Sequence, residues 1–202
     1  MKYKLFLVFL TTLILLTINA PMSSAQPVIL YGAAYAGRNG LATFYTIDIL
    51  TGAATPVGPI GFERVSAMDS HPVTGVLYAT GELADGSNTH VLMTIDLVTG
   101  AGTVVGPTGI SGLGPGFDTM TDISFRNSDN QLYGYLEPGG GVGTIDILTG
   151  AATLLGLSGV IVIGNGIAFS PVDTLYHSNN VALNTLDQTT GAASMVAPMV
   201  FS

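Results

Sequence analysis

The chain has 202 residues, thirteen acidic side chains against five basic ones, and no cysteine. That composition excludes disulfides and thiolate metal sites, and a net charge of −8 sets the surface against nucleic acid and anionic lipid. Only 9% of the residues are charged, so Gly, Thr, Ser and Asn must cover much of the surface, which suits an exported protein better than a cytosolic enzyme.

Residues 1–25 read as a secretory signal. Lys2 and Lys4 form a short basic start, and Leu5 to Ile18 is apolar apart from Thr11, Thr12 and Thr17. Ser23-Ser24-Ala25 supplies the small residues for cleavage before Gln26. The apolar run is short for a membrane span, which needs about 20 residues; an uncleaved anchor is the alternative. Removing the signal leaves Arg38, Arg64 and Arg126 against all thirteen acids, a net charge of −10.

From residue 28 onward the chain repeats itself. "TIDILTG" (46–52) returns as "TIDLVTG" (94–100), "TIDILTG" (144–150) and "TLDQTTG" (185–191). Each copy leads into a phrase of the "AATPVGP" type and follows one of the "ILYGAAY" type. Before the last three copies stands a further phrase: "VSAMDSHP", "TDISFRNS" and "NGIAFSPV". All are short, alternating or apolar, rich in β-branched or aromatic residues, and bounded by Gly, Pro, Asn or Asp, which is strand chemistry. Each repeat is therefore expected to be a four-stranded meander, A to D. Such units at this period predict an all-β fold, a β-propeller of about four blades near 28–60, 61–108, 109–158 and 159–202.

Asp-x-x-Thr-Gly is the expected C–D hairpin turn. Its aspartate (Asp48, Asp96, Asp146, Asp187) accepts from backbone N–H groups two or three residues on. Its threonine (Thr51, Thr99, Thr149, Thr190) satisfies a polar turn group, and its glycine (Gly52, Gly100, Gly150, Gly191) takes a positive φ. The rival reading is a ring of calcium ligands, for which one carboxylate per repeat is a weak signal. Tyr31, Tyr78, Tyr133 and Tyr176 recur at one strand-B position and are expected to pack blade on blade rather than form a sugar platform.

Leu77-Tyr78, Ile95-Asp96, Thr99-Gly100 and Val105-Gly106, with Gly166 to Pro171 and Leu175-Tyr176, make the chain resemble the secreted bacterial and archaeal β-propeller repeat proteins with LYxIDxxTGxATxVG-type blades. The resemblance spans 28–198. It implies the fold and leaves the function open, since such blades serve unrelated proteins.

The first repeat starts at strand B, so the first blade is expected to lack its inner strand, for about fifteen strands in all. The C-terminal "MVFS" looks too short a link to supply it. Unpaired edges invite pairing; the wheel is expected either to close as a small ring or to stay open and self-associate.

Little else carries chemistry. His71, His90 and His177 fall at strand ends of different blades and suggest no shared metal. "GISGLGPG" (109–116) lacks the lysine and helix of a phosphate loop. Asp118, Asp122 and Asp129 lie near one another in sequence and Asp69 takes the strand-A position matching Ser124, so strand-A acids could face a central-channel metal, for which Glu63 and Asn165 are nominal candidates. No nucleophile elbow occurs. The expected function is that of a non-enzymatic, self-associating, extracellular or cell-surface scaffold without a cofactor. A glycan- or peptide-binding module is the alternative, and a metal-dependent hydrolase the remotest.

Overall fold

The structure is a computed structural model that describes residues 29–37, 40–113, 117–160 and 165–199. The expected export signal (1–25) and the end of "MVFS" lie outside the described residues. Among them fourteen strands form three antiparallel sheets. The first sheet is β1 (Leu30–Ala34), β2 (Leu41–Ile47), β3 (Ala54–Ser70), β4 (Leu77–Glu82), β5 (His90–Ile95) and β6 (Gly102–Pro107), paired in that order. The second holds β7 (Phe117–Phe125), β8 (Leu132–Pro138), β9 (Gly141–Ile145) and β10 (Ala152–Leu157). The third holds β11 (Gly166–Phe169), β12 (Leu175–Ser178), β13 (Ala182–Leu186) and β14 (Ala193–Pro198).

Strand β3 differs from expectation. The spacing puts a loop between Pro59 and Val65, yet one 17-residue strand runs through. Positive φ at Gly61 (86°) and Arg64 (46°) redirects the chain, and the pairing with β4 shifts register there without stopping. So β3 is the outer strand of one meander and the inner strand of the next. The molecule is best described as four leaves: β1, β2 and early β3; late β3 to β6; β7 to β10; β11 to β14.

The leaves stack face on face, and the core lies between them. Ala42, Phe44 and Ile60 of leaf one meet Leu77, Met93 and Ile95 of leaf two. Ala67 and Leu92 of leaf two meet Ile123, Leu132 and Ile145 of leaf three. Tyr133, Tyr135 and Val142 of leaf three meet Ile167, Leu175 and Leu186 of leaf four. The two middle leaves thus bury one face against the predecessor and the other against the successor, at about 1.5–3 kcal/mol for every large side chain taken from water. Among the described residues no core cluster joins leaf four to leaf one.

Adjacent inner strands are also latched. Asp69 Oδ2 accepts from Phe125 N at 2.7 Å, and Asp122 Oδ2 from Ile167 N at 2.7 Å. Ser124 Oγ accepts from Phe169 N at 3.1 Å, and Ser66 donates to the Met120 carbonyl at 2.6 Å. These aspartates, nominal channel ligands by sequence, instead satisfy backbone donors of the next leaf. Burial raises the pKa of both, that of Asp122 to about 6.

Candidate functional site

An antiparallel meander puts its C–D and A–B turns at one rim and its B–C and D–A connections at the other. The four repeated turns share the first rim. Asp48 Oδ1 accepts from Leu50 and Thr51 N (2.8 and 2.9 Å), Asp96 from Val98 and Thr99 N (2.9 and 2.8 Å). Asp146 accepts from Leu148 and Thr149 N (2.7 and 3.3 Å), Asp187 from Thr189 and Thr190 N (2.9 and 2.7 Å). These backbone donors hold all four carboxyls below their usual pKa. Thr51, Thr99, Thr149 and Thr190 each accept from the N–H of the alanine two residues on. Gly52, Gly100, Gly150 and Gly191 have φ of 73°, 78°, 81° and 75°.

The turns also dock leaf on leaf. A Cβ on Gly58 would lie 2.1 Å from the Thr99 carbonyl oxygen, one on Gly106 2.0 Å from that of Thr149, and one on Gly156 2.2 Å from that of Thr190. The glycine ending each "AATxVG" phrase is therefore the seat of the next leaf's turn. Two ends of the series break the pattern. Gly52 of leaf one has open space at its Cβ position, and leaf four carries the exposed Ala197 where the others have glycine.

The opposite rim holds a polar cleft of about 570 Å³. The sharp bend of β3 presents Arg64, the end of β4 presents Glu82, and the start of β5 presents His90. Glu82 and His90 are register partners. Arg64 hydrogen-bonds to Glu82, and His90 Nε2 lies 2.9 Å from Glu82 Oε1, outside hydrogen-bond geometry. Both carboxylate and imidazole are buried, and the imidazole Nδ1 has no partner among the described residues. Burial pushes the His90 pKa down, against the pull of Glu82. Asp118, Asn88, Thr108 and Ser111 complete the wall. Arg64 and Asn88 (φ 54°) hold left-handed backbone at this cleft, as Asn130 and Asp173 do in turns at the other rim.

Further along, His177 sits in a filled polar core rather than as the lone strand-end residue expected. Asn184 donates to its Nδ1 at 3.2 Å, leaving Nε2–H for Asn165 Oδ1 at 2.8 Å, and Asn165 donates onward to Glu137. The ring stacks on Tyr135 at 4.6 Å, and burial lowers its pKa. His71 caps the A–B turn, its Nδ1 facing Val73 and Thr74 N at 3.2 and 3.3 Å. Nothing draws the three histidines together, and among the described residues no three His, Asp or Glu side chains gather as a cation would need. The "GISGLGPG" segment forms a 3₁₀ turn at Ile110–Gly112 with Ile110 buried. No described helix is long and apolar enough to cross a membrane.

No protein-family model matches the chain, and no curated protein matches it. Solved structures do. A chain of the nidogen/laminin complex superposes with a TM-score of 0.59 at 13% identity, over 85% of this chain and 62% of that one. An auxiliary nutrient binding protein from Bacteroides ovatus gives 0.53 at 11% identity, over 86% and 39% of the two chains. Its counterpart from Bacteroides thetaiotaomicron gives 0.52 at 16% identity, over 85% and 38%. The fold is of the β-propeller type. This chain spans less than two thirds of the length of each of those proteins.

Within the propeller the repeated tyrosines have different partners. Tyr78 meets Phe125 edge-on at 5.5 Å, and Tyr133 meets Phe169 at 5.1 Å, both across leaves. Tyr31 stacks on Phe44 of its own leaf at 5.2 Å. Tyr176 lies on the free face of leaf four, beside a hollow of about 280 Å³ lined also by Asp122, Ser178 and Leu183.

Proposed function

We propose that this chain is an exported, non-enzymatic β-propeller scaffold that self-associates outside the cell or at its surface. It has four blades, the four leaves above, and the first lacks its inner strand. One observation carries the reading. Leu30 is 50% exposed, whereas Leu77, Leu132 and Leu175 at the same repeat position are 4%, 0% and 0% exposed, each covered by the preceding blade. Its register partner Ile47 is half-buried where Ile95, Ile145 and Leu186 are buried. A sheet face of this composition is stable when another layer covers it. Light scattering on residues 26–202 across a wide concentration range tests this: assembly above the single-chain mass supports it, and one constant single-chain mass refutes it.

The Arg64–Glu82–His90 group, its carboxylate and imidazole buried, supports a second reading, a glycan- or peptide-binding face, because the imidazole nitrogens have no hydrogen-bond partner among the described residues. Binding on a glycan or peptide array that Glu82→Gln abolishes, with the fold intact by circular dichroism, supports it; an unchanged array signal counts against it.

A further inference from the structure

We infer that the first blade is the single adhesive end, and that it docks a second copy of this chain face to face about a two-fold axis. This rests on the self-association proposed above and names its surface. The free face of blade one is set by the β1–β2 register, which puts Leu30 opposite Ile47, Gly32 opposite Tyr45 and Ala34 opposite Thr43 on one side of the sheet. Leu41 (54% exposed) extends this largely apolar surface, and Leu41's register partner Glu63 is the one acid in β1, β2 and the early part of β3. In a chain of net charge −8 that is the kind of surface two copies can bring together with little repulsion.

The other candidate occupant is the free face of blade four, as in head-to-tail growth. Two features close that route. Inside the chain, every blade-to-blade contact seats a turn carbonyl on a bare glycine: Thr99 on Gly58, Thr149 on Gly106, Thr190 on Gly156. Blade four offers Ala197 instead, and its methyl group would meet the incoming Thr51 carbonyl at the ~2 Å separation that no carbon tolerates. Its inner strand has Ala168 where Asp69 and Ser124 accept from the next blade, so the latch is gone. At the anchor position blade four keeps a leucine, Leu183, as blade two does at Leu92, so the anchor by itself does not separate the two ends. Terminal repeats of an array commonly differ in this way to stop it growing. With the last blade terminated, a heterologous contact does not propagate, and the isologous one on blade one remains.

The test is the mass in solution, by light scattering, of residues 26–202 and of two variants, Leu30→Arg and Leu183→Arg. The native chain is expected at twice its single-chain mass at high concentration and no higher. Leu30→Arg is expected at the single-chain mass with its circular dichroism unchanged, and Leu183→Arg to remain a dimer. Should Leu30→Arg misfold, Leu41→Arg on the more exposed end of the same face replaces it. A native chain that grows beyond two copies, or a Leu183→Arg variant that dissociates as Leu30→Arg does, overturns the inference while leaving self-association standing. A native chain at single mass throughout overturns both.

Discussion

In the proposed four-blade arrangement, blade one and blade four each leave one face without a neighbour among the described residues, and they do so in opposite ways. Blade one keeps the leucine–isoleucine pair, the open turn glycine Gly52 and an uncharged strand of the receiving side, but not the inner-strand N–H groups that meet the latch elsewhere. Blade four has lost two elements of the donating side: glycine has become Ala197, and the latch acceptor has become Ala168. The lesson is that identical repeats need not have equivalent ends. What a repeat presents depends on whether the next unit's backbone is meant to reach it.

The sharpest way to break that contrast is at the seat glycines. Gly106→Ala places a methyl 2.0 Å from the Thr149 carbonyl, and overpacking of this kind is expected to cost about 3 kcal/mol or more. The reverse change, Ala197→Gly, is expected to cost less than about 1 kcal/mol, the entropic term alone. Urea melts of the two variants at one protein concentration measure the difference; equal losses would mean that Ala197 is seated like its counterparts. Next in size is the leucine series. Leu175→Ala is expected to cost about 2–5 kcal/mol, and Leu30→Ala under about 1 kcal/mol when the chain is dilute and single. At high concentration the Leu30→Ala loss should grow.

Asp122 sharpens the comparison from inside the blade three to blade four contact. Its folded pKa is raised by burial to about 6 from an ordinary 3.8. The folded form therefore holds its proton to higher pH than the unfolded chain. Its stabilising contribution is full below about pH 4 and is lost as pH rises through about 6. At ~1.4 kcal/mol for each pH unit between the two values this amounts to about 3 kcal/mol. Asp122→Ser, which keeps a short acceptor as Ser124 does, is expected to flatten the fall in stability between pH 4 and 7; a slope unchanged in the variant would assign it elsewhere.

The smallest expected effect is at the turns. Asp146→Ala removes the acceptor for Leu148 and Thr149 N at an exposed site and is expected to lower the melting temperature only slightly. Asp48→Ala should cost about the same, because the bonds are local to each turn and indifferent to neighbouring blades. A much larger loss at Asp146 in thermal melts would show that the turn aspartate also serves the contact between blades.

How much of this could be read from the residues divides along the range of the interaction. The strands were legible because their alternation and their Gly, Pro and Asp borders are local. So were the Asp-x-x-Thr-Gly hydrogen bonds, which span two or three residues. The joining of β3 was not: Pro59 reads as a break, and only the positive φ at Gly61 and Arg64 lets pairing continue past it. The burial of His177 and the Arg64–Glu82–His90 group was missed because its parts come from different strands. One signal was available, since Glu82 and His90 flank a hairpin loop and pair in register. The change of Gly58, Gly106 and Gly156 to Ala197 was visible in the aligned phrases, but its cause, a carbonyl from the neighbouring blade, is a fact of three dimensions.

The account stands most directly on where two copies touch. With no native cysteine, single-site Ala34→Cys and Ala197→Cys chains can each be treated with a short bis-maleimide and run on a denaturing gel. The account predicts a covalent dimer from Ala34→Cys at concentrations that leave Ala197→Cys uncrosslinked. Cross-linking at Ala197 with Ala34 untouched would contradict it.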